Sequence, residues 1–146
     1  MSDRSEAVDA WEALFRAQVT VLRDLSRDFP HGELSLNEYD VLFNLSRQPE
    51  RRSRIRDLNK HLLLTQPSVS RLVDRLVSRG LVAKSPDSAD ARGTVVALTE
   101  EGFELFRAVA VRHAASISRR VGGVLDVDEL RTLTELTDKL RRGASA

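Results

Sequence analysis

The sequence predicts a mainly α-helical chain with one small two-stranded β-hairpin, an α+β arrangement in which long helices flank a compact middle. Three observations predict it. Apolar residues recur every three to four positions along most of the chain. That period breaks after Gly80, where the short runs LVAKS and TVVAL, the second rich in β-branched residues, enclose the turn-forming stretch PDSADARG. Basic residues also crowd the middle: residues 47–92 hold eleven Lys or Arg against five Asp or Glu, a net +6, whereas the 146-residue chain carries +1 and its flanks together −5.

Each element has a local signature. Val8, Trp11, Leu14, Phe15, Val19, Leu22, Leu25 and Phe29 line one face of a long first helix, ended by Pro30 and Gly32. Ser35 and Glu38 form a capping box, with Leu34 and Tyr39 as the matching hydrophobic staple, for a second helix that stops before Pro49. Ile55, Leu58 and Leu62 mark a short third helix. Thr65 or Gln66 caps a fourth, where Pro67 sits early enough that its missing N–H costs nothing. Val69, Leu72, Val73, Leu76 and Val77 form the buried stripe of this helix, and Gly80 is its left-handed stop.

Beyond the hairpin, Thr99 precedes Glu100, Glu101 and Glu104, a cap followed by carboxylates where a helix dipole favours them. The fifth helix they open carries Phe103, Phe106, Val109, Ala110, Ala114, Ile117 and Val121. Asp126 and Glu129 make an acidic capping box before a sixth, with Leu130, Leu133, Leu136 and Leu140. No internal repeat or linker interrupts residues 1–146, which read as a single domain ending in a ragged GASA tail.

Composition narrows the function classes. With no cysteine, disulfides, thiolate metal sites and thiol redox sensing are excluded. MSDRSEAVDAW lacks the apolar stretch of a signal peptide and no run is long enough to span a membrane, so a soluble, cytoplasmic protein is expected, without a membrane partner. No nucleophile with a base, metal cluster or phosphate-cradling glycine loop is present, so no enzyme, cofactor or metal is expected. His31, His61 and His113 are isolated from one another. Asp87 and Asp90 fall short of a calcium loop, having neither a third carboxylate nor the required glycine.

Three short helices followed by a two-stranded wing, all within the basic segment, give the order of a winged helix-turn-helix flanked by long N- and C-terminal helices. LLLT is the connection before the recognition helix, residues 66–79. Its inward stripe leaves Gln66, Ser68, Ser70, Arg71, Asp74, Arg75 and Ser78 outside. Arginine can bond a guanine edge with two donors, glutamine can pair with adenine, and serine reaches phosphate or base without crowding the groove. The helix N-terminus at Thr65 and Gln66 is a further phosphate site. For Arg79, interaction with the C-terminal dipole is an equally good reading. Of Arg51, Arg52, Arg54 and Arg56, one or two are expected to clamp phosphate, with Arg54 the candidate.

From about Leu34 to Gly102 the sequence resembles the MarR family of bacterial and archaeal transcription regulators. The residues that carry the resemblance are IRDLNKHLLLTQPSVSRLVDRLVSRGLV, the wing DSADARGTVVALTEEG with its D-x-R element (Asp90, Arg92), and the L-T-x-x-G of Leu98, Thr99 and Gly102. Two positions depart from the family: Asn59 stands where alanine is common, and Lys84 where arginine is common. Neither removes a type of DNA contact.

The resemblance implies a homodimer that presents two winged lobes to an inverted-repeat operator in double-stranded DNA, most often as a repressor. Residues 34–99 would form the DNA-binding lobe, and residues 5–30 and 100–142 the dimerisation helices. It further implies that Arg92 enters or lies over the minor groove while Asp90 braces the wing, with Arg75 or Arg71 as its ionic partner. The expected DNA-binding set is therefore Arg54, Thr65, Gln66, Ser68, Ser70, Arg71, Arg75, Asp90 and Arg92. Family members are often controlled by small molecules, so a small aromatic or other organic effector is expected, with Trp11, Phe15, His31, Tyr39 and Phe43 as candidate lining; the alternative for Trp11, Phe15 and Phe43 is ordinary core. The rival function is a winged-helix protein-interaction module without DNA binding, which needs neither an outward Ser/Arg face nor a basic wing.

Overall fold

The computed structural model describes residues 3–62 and 64–144. Leu63, within the predicted LLLT connection, lies outside the described residues, as do residues 1 and 2 and the last two of the GASA tail. The elements are helices α1 (Arg4–Asp28) and α2 (Leu36–Ser46), a 3-10 turn (Pro49–Arg51), strand β1 (Arg52–Arg54), helices α3 (Ile55–Asn59) and α4 (Gln66–Ser78), strands β2 (Val82–Pro86) and β3 (Thr94–Leu98), and helices α5 (Glu100–Arg120) and α6 (Val127–Ala144). The predicted class, mainly helical with a small sheet, is what is observed. Two compact units share the chain: one holds Pro30–Arg112, the other the residues up to Phe29 together with those from His113 onward.

In the unit of Pro30–Arg112, α2 begins with the predicted capping box. The Glu38 N–H donates to Ser35 Oγ at 3.1 Å and the Ser35 N–H donates to Glu38 Oε1 at 2.9 Å, so two otherwise orphaned donors are satisfied. Leu34 and Tyr39 are both buried beside it. Val41, Leu42, Leu45, Leu58, Val69, Val73, Leu76 and Val96 are essentially inaccessible and form the core under the sheet. One correction concerns Val77, expected in the buried stripe of α4, which is 36% exposed because it lies at the edge of that stripe, one position past Leu76.

The sheet has three strands in the order β1-β3-β2, all antiparallel. The two-stranded wing is thus extended by Arg52–Arg54, whose register is Arg52↔Ala97, Ser53↔Val96 and Arg54↔Val95. A three-residue Arg-Ser-Arg segment has no apolar alternation, and its strand character comes from the partner β3. That central position accounts for the apolar TVVAL run, in which Val95, Val96 and Leu98 are all buried. Just before β1, Glu50 and Arg51 hold left-handed backbone angles (φ 58° and 56°). The Arg51 guanidinium lies 3.4 Å from the centre of the Phe103 ring and 3.6 Å from Glu100 Oε1, contacts that offset the strain of this entry into the sheet.

The turn between α4 and β2 and the start of α5 interlock. Gly80 adopts φ 74°, the left-handed stop expected for α4. Thr99 Oγ1 lies 2.7 Å from the Gly80 carbonyl oxygen and 3.0 Å from that of Leu81, and it accepts the Gly102 N–H at 3.0 Å. These contacts account for the threonine and the glycine of the L-T-x-x-G element.

In the other unit, Asp3 caps α1 through the Ser5 N–H and hydroxyl. Arg120, at the end of α5, forks onto Asp28 at 2.8 and 3.2 Å, and that hydrogen bond holds the Asp28 carboxyl below its ordinary pKa. Phe29 meets the buried His113 edge-on, with ring centres 5.2 Å apart. The Asp126–Glu129 capping box forms as predicted, at 2.9 and 3.0 Å. Neither α1 nor α6 contains a buried residue.

Candidate nucleic-acid interface

Helix α4 is amphipathic in the way its sequence requires. Val69, Leu72, Val73 and Leu76 face the core, while Gln66, Arg71, Asp74, Arg75 and Ser78 are exposed and Ser68 and Ser70 half-buried. Thr65 is the N-cap, its Oγ1 accepting the Ser68 N–H at 3.3 Å. The same hydroxyl approaches Ser68 Oγ at 2.9 Å, and an Arg71 guanidinium N–H donates to Ser68 Oγ at 3.3 Å. Thr65, Ser68 and Arg71 therefore form one chain of donors and acceptors at the outer N-terminal end of α4, where unpaired N–H groups favour anions. Ser78 is turned back into its helix, its hydroxyl donating to the Asp74 carbonyl at 3.0 Å.

The wing tip is a ladder of local hydrogen bonds. The Asp87 N–H donates to the Gly93 carbonyl at 3.0 Å and the Gly93 N–H to the Asp90 carbonyl at 2.9 Å. Asp90 Oδ1 accepts the Arg92 N–H at 3.0 Å, so this carboxylate shapes the tip from within. Here the structure corrects the expected ion pair between Asp90 and Arg71 or Arg75. Ties to the lobe come from two other aspartates: Asp87, whose Oδ2 lies 2.7 Å from Arg54 Nε, and Asp74, whose Oδ1 lies 2.8 Å from Lys84 Nζ. Asp87 is 8% exposed, and its other oxygen accepts the Ala89 N–H at 3.0 Å. Both aspartates stood in the sequence, but neither the burial of Asp87 nor the reach of Lys84 onto α4 leaves a local pattern.

Arg54, Arg56, Gln66, Asp87, Asp90 and Arg92 all contribute to a cleft of about 190 Å³ between the wing and the start of α3 and α4. The structure thus brings Arg54, Gln66, Asp90 and Arg92 together, and sets Ser70, Arg71 and Arg75 further along the outer face of α4. Arg79 belongs to neither group. It donates to Glu38 Oε2 at 3.2 Å and to the Glu33 carbonyl at 2.6 Å, fastening the end of α4 to the start of α2.

The five candidate effector residues fall in different units. Trp11 and Phe15, on α1, have ring centres 5.9 Å apart and are 56% and 50% exposed. Tyr39 stacks on Phe43 and Phe106 at 6.3 and 5.3 Å, and burial pushes its hydroxyl pKa up. Phe43 is 37% exposed, and His31 is exposed at the beginning of its unit. In the single chain Trp11, Phe15 and Phe43 are thus all partly exposed. Among the described residues no group of three or more His, Cys, Asp or Glu could hold a metal ion, and no helix is long and apolar enough to cross a membrane.

The MarR family domain matches residues 33–93. The chain is 32% identical over 102 residues to the HTH-type transcriptional regulator PecS of Dickeya dadantii, a match covering 68% of this chain and 61% of that protein, less than two thirds of its length. Among solved structures, AbsC, a MarR family transcriptional regulator from Streptomyces coelicolor, superposes with a TM-score of 0.79 at 26% identity over 99% of this chain and 97% of its own. Sco3205, a MarR family regulator from the same organism in complex with DNA, gives 0.79 at 26% identity over 98% and 90%. BpsR of Bordetella bronchiseptica, whose DNA binding is regulated by 6-hydroxynicotinic acid, gives 0.77 at 26% identity over 91% and 98%.

Proposed function

The chain belongs to the MarR family of transcriptional regulators, and on that premise we propose that it is a sequence-specific DNA-binding regulator. It acts as a homodimeric repressor on an inverted-repeat operator and is released by a small organic effector. One observation carries the DNA reading: the wing arginine Arg92 and the N-terminal Gln66 of α4 line the same cleft, beside the exposed Arg71 and Arg75 one turn apart on the outer face of that helix. A helix with that face fits the major groove, and an arginine on the adjoining wing fits the minor groove or its phosphates. The DNA complex of Sco3205 supports this reading.

Support for the homodimer comes from the unit that contains α1 and α6. Trp11, Phe15, Leu22, Leu133, Leu136 and Leu140 are each between 42% and 59% exposed. Apolar side chains at these spacings favour burial by about 25 cal/mol for each Å² covered, and a second copy supplies a matching face. The effector reading follows BpsR, with Trp11, Phe15, His31, Tyr39 and Phe43 as the candidate contacts.

A labelled duplex titrated at several salt concentrations tests the DNA reading. Log K is expected to fall linearly with log salt, with a slope of about −0.9 per phosphate neutralised. The absence of salt-dependent binding to any duplex contradicts it and leaves the protein-interaction module as the reading that stands.

A further inference from the structure

Asp87 is a buried carboxylate with, among the described residues, a single cationic partner, Arg54. It is 8% exposed; Oδ2 lies 2.7 Å from Arg54 Nε as an ion pair without hydrogen-bond alignment, while Oδ1 accepts the Ala89 N–H. A carboxylate removed from water is stable as an anion only when such partners replace its hydration. Arg54 ends β1 and is the N-cap of α3, with its side chain 37% exposed. Asp87 follows β2 at the neck of the wing, where its N–H closes onto the Gly93 carbonyl. Since β3 lies between β1 and β2, the pair spans the end of the central strand and ties the wing tip to the junction from which α3 starts.

Resting on the DNA-binding reading, we propose that Arg54 is a positioning residue and not a phosphate clamp. Its pair with Asp87 fixes the angle of the wing to α4, so the contact of Arg92 with DNA depends on it. An arginine whose charge is matched by a buried carboxylate beside it releases few counterions from DNA, which separates this role from that of a clamp. Asp90 then shapes the tip locally through the Arg92 N–H, and Asp87 carries the alignment of the wing.

The test measures duplex affinity and its salt slope for the full chain and for Asp87→Asn, Arg92→Ala, Asp87→Asn with Arg92→Ala, and Asp87→Asn with Arg54→Met. Asparagine keeps the shape of Asp87, and the Arg54 pairing leaves no unpaired buried charge, so each variant is expected to fold; thermal unfolding verifies it. Asp87→Asn is expected to weaken binding about tenfold, comparable to Arg92→Ala. The two together should weaken it no further than twofold beyond either alone, as for residues acting as a unit. Asp87→Asn with Arg54→Met removes the pair without changing the net charge, and it should weaken binding about tenfold, as Asp87→Asn alone does.

The proposal is overturned if Asp87→Asn binds as tightly as the unmodified chain or more tightly, if the Asp87 and Arg92 effects multiply, or if Asp87→Asn with Arg54→Met restores the affinity of the unmodified chain. In those cases the unmodified chain still binds DNA and the functional reading stands. An unmodified chain that binds no duplex overturns both.

Discussion

Gly102 approaches Leu81 so closely that a Cβ at position 102 would meet the Leu81 carbonyl oxygen at 2.0 Å. The first turn of α5 thus rests directly on the chain entering β2, and the Thr99 hydroxyl beside Gly80 and Leu81 secures the same junction. Gly102→Ala should lower stability by about 1–3 kcal/mol, because backbone and not a flexible side chain must move. Urea unfolding measures this, and an unchanged midpoint would show that the junction relaxes freely.

That junction also shows where the sequence was legible. Capping boxes are local in sequence, and Ser35 with Glu38 and Asp126 with Glu129 form as their spacing requires. The stripe and stop of α4 are equally local. Strand β1 was not legible, since Arg52–Arg54 becomes a strand only by pairing with β3. The bracing of the wing was not legible either. Asp87 and Asp90 are both aspartates in a turn, and only the fold buries the first beside an arginine thirty-three positions earlier while leaving the second at the tip.

The outer face of α4 makes a graded prediction. Arg71→Ala and Arg75→Ala should each weaken operator binding by about 1–3 kcal/mol if they reach base edges, with relaxed preference at the bases concerned. Ser78→Ala should leave binding as it is, because that hydroxyl already donates to the Asp74 carbonyl. Anisotropy titrations of the three variants check the order, and a loss at Ser78 equal to that at Arg71 would contradict this assignment of the face.

The exposed stripe of α6 predicts an assembly-dependent variant. Leu136, 59% exposed in the single chain, should tolerate Leu136→Glu within one protomer but not within a dimer, where a carboxylate would be buried without a partner. Sedimentation should show a shift toward monomer, accompanied by loss of operator affinity. A variant that sediments like the unmodified chain would place the dimer interface elsewhere.

His113 sets a pH dependence. Burial against Phe29 lowers its pKa in the folded chain, so as pH falls the unfolded chain takes up the proton first. Stability is then full above the unfolded value of about 6.5 and declines as pH falls from there toward the depressed folded value. Melting temperatures between pH 7.5 and 5 should fall more steeply for the unmodified chain than for His113→Gln. Parallel curves would assign the acid sensitivity to other groups.

Selection of bound sequences from random duplex DNA tests the central claim most directly. The predicted result is a two-fold symmetric consensus with half-sites roughly one helical turn, about 10 base pairs, apart, recovered by the unmodified chain and weakened by Arg92→Ala. Recovery of no consensus, or of one without two-fold symmetry, would contradict a homodimer that reads an inverted repeat through α4 and the Arg92 wing.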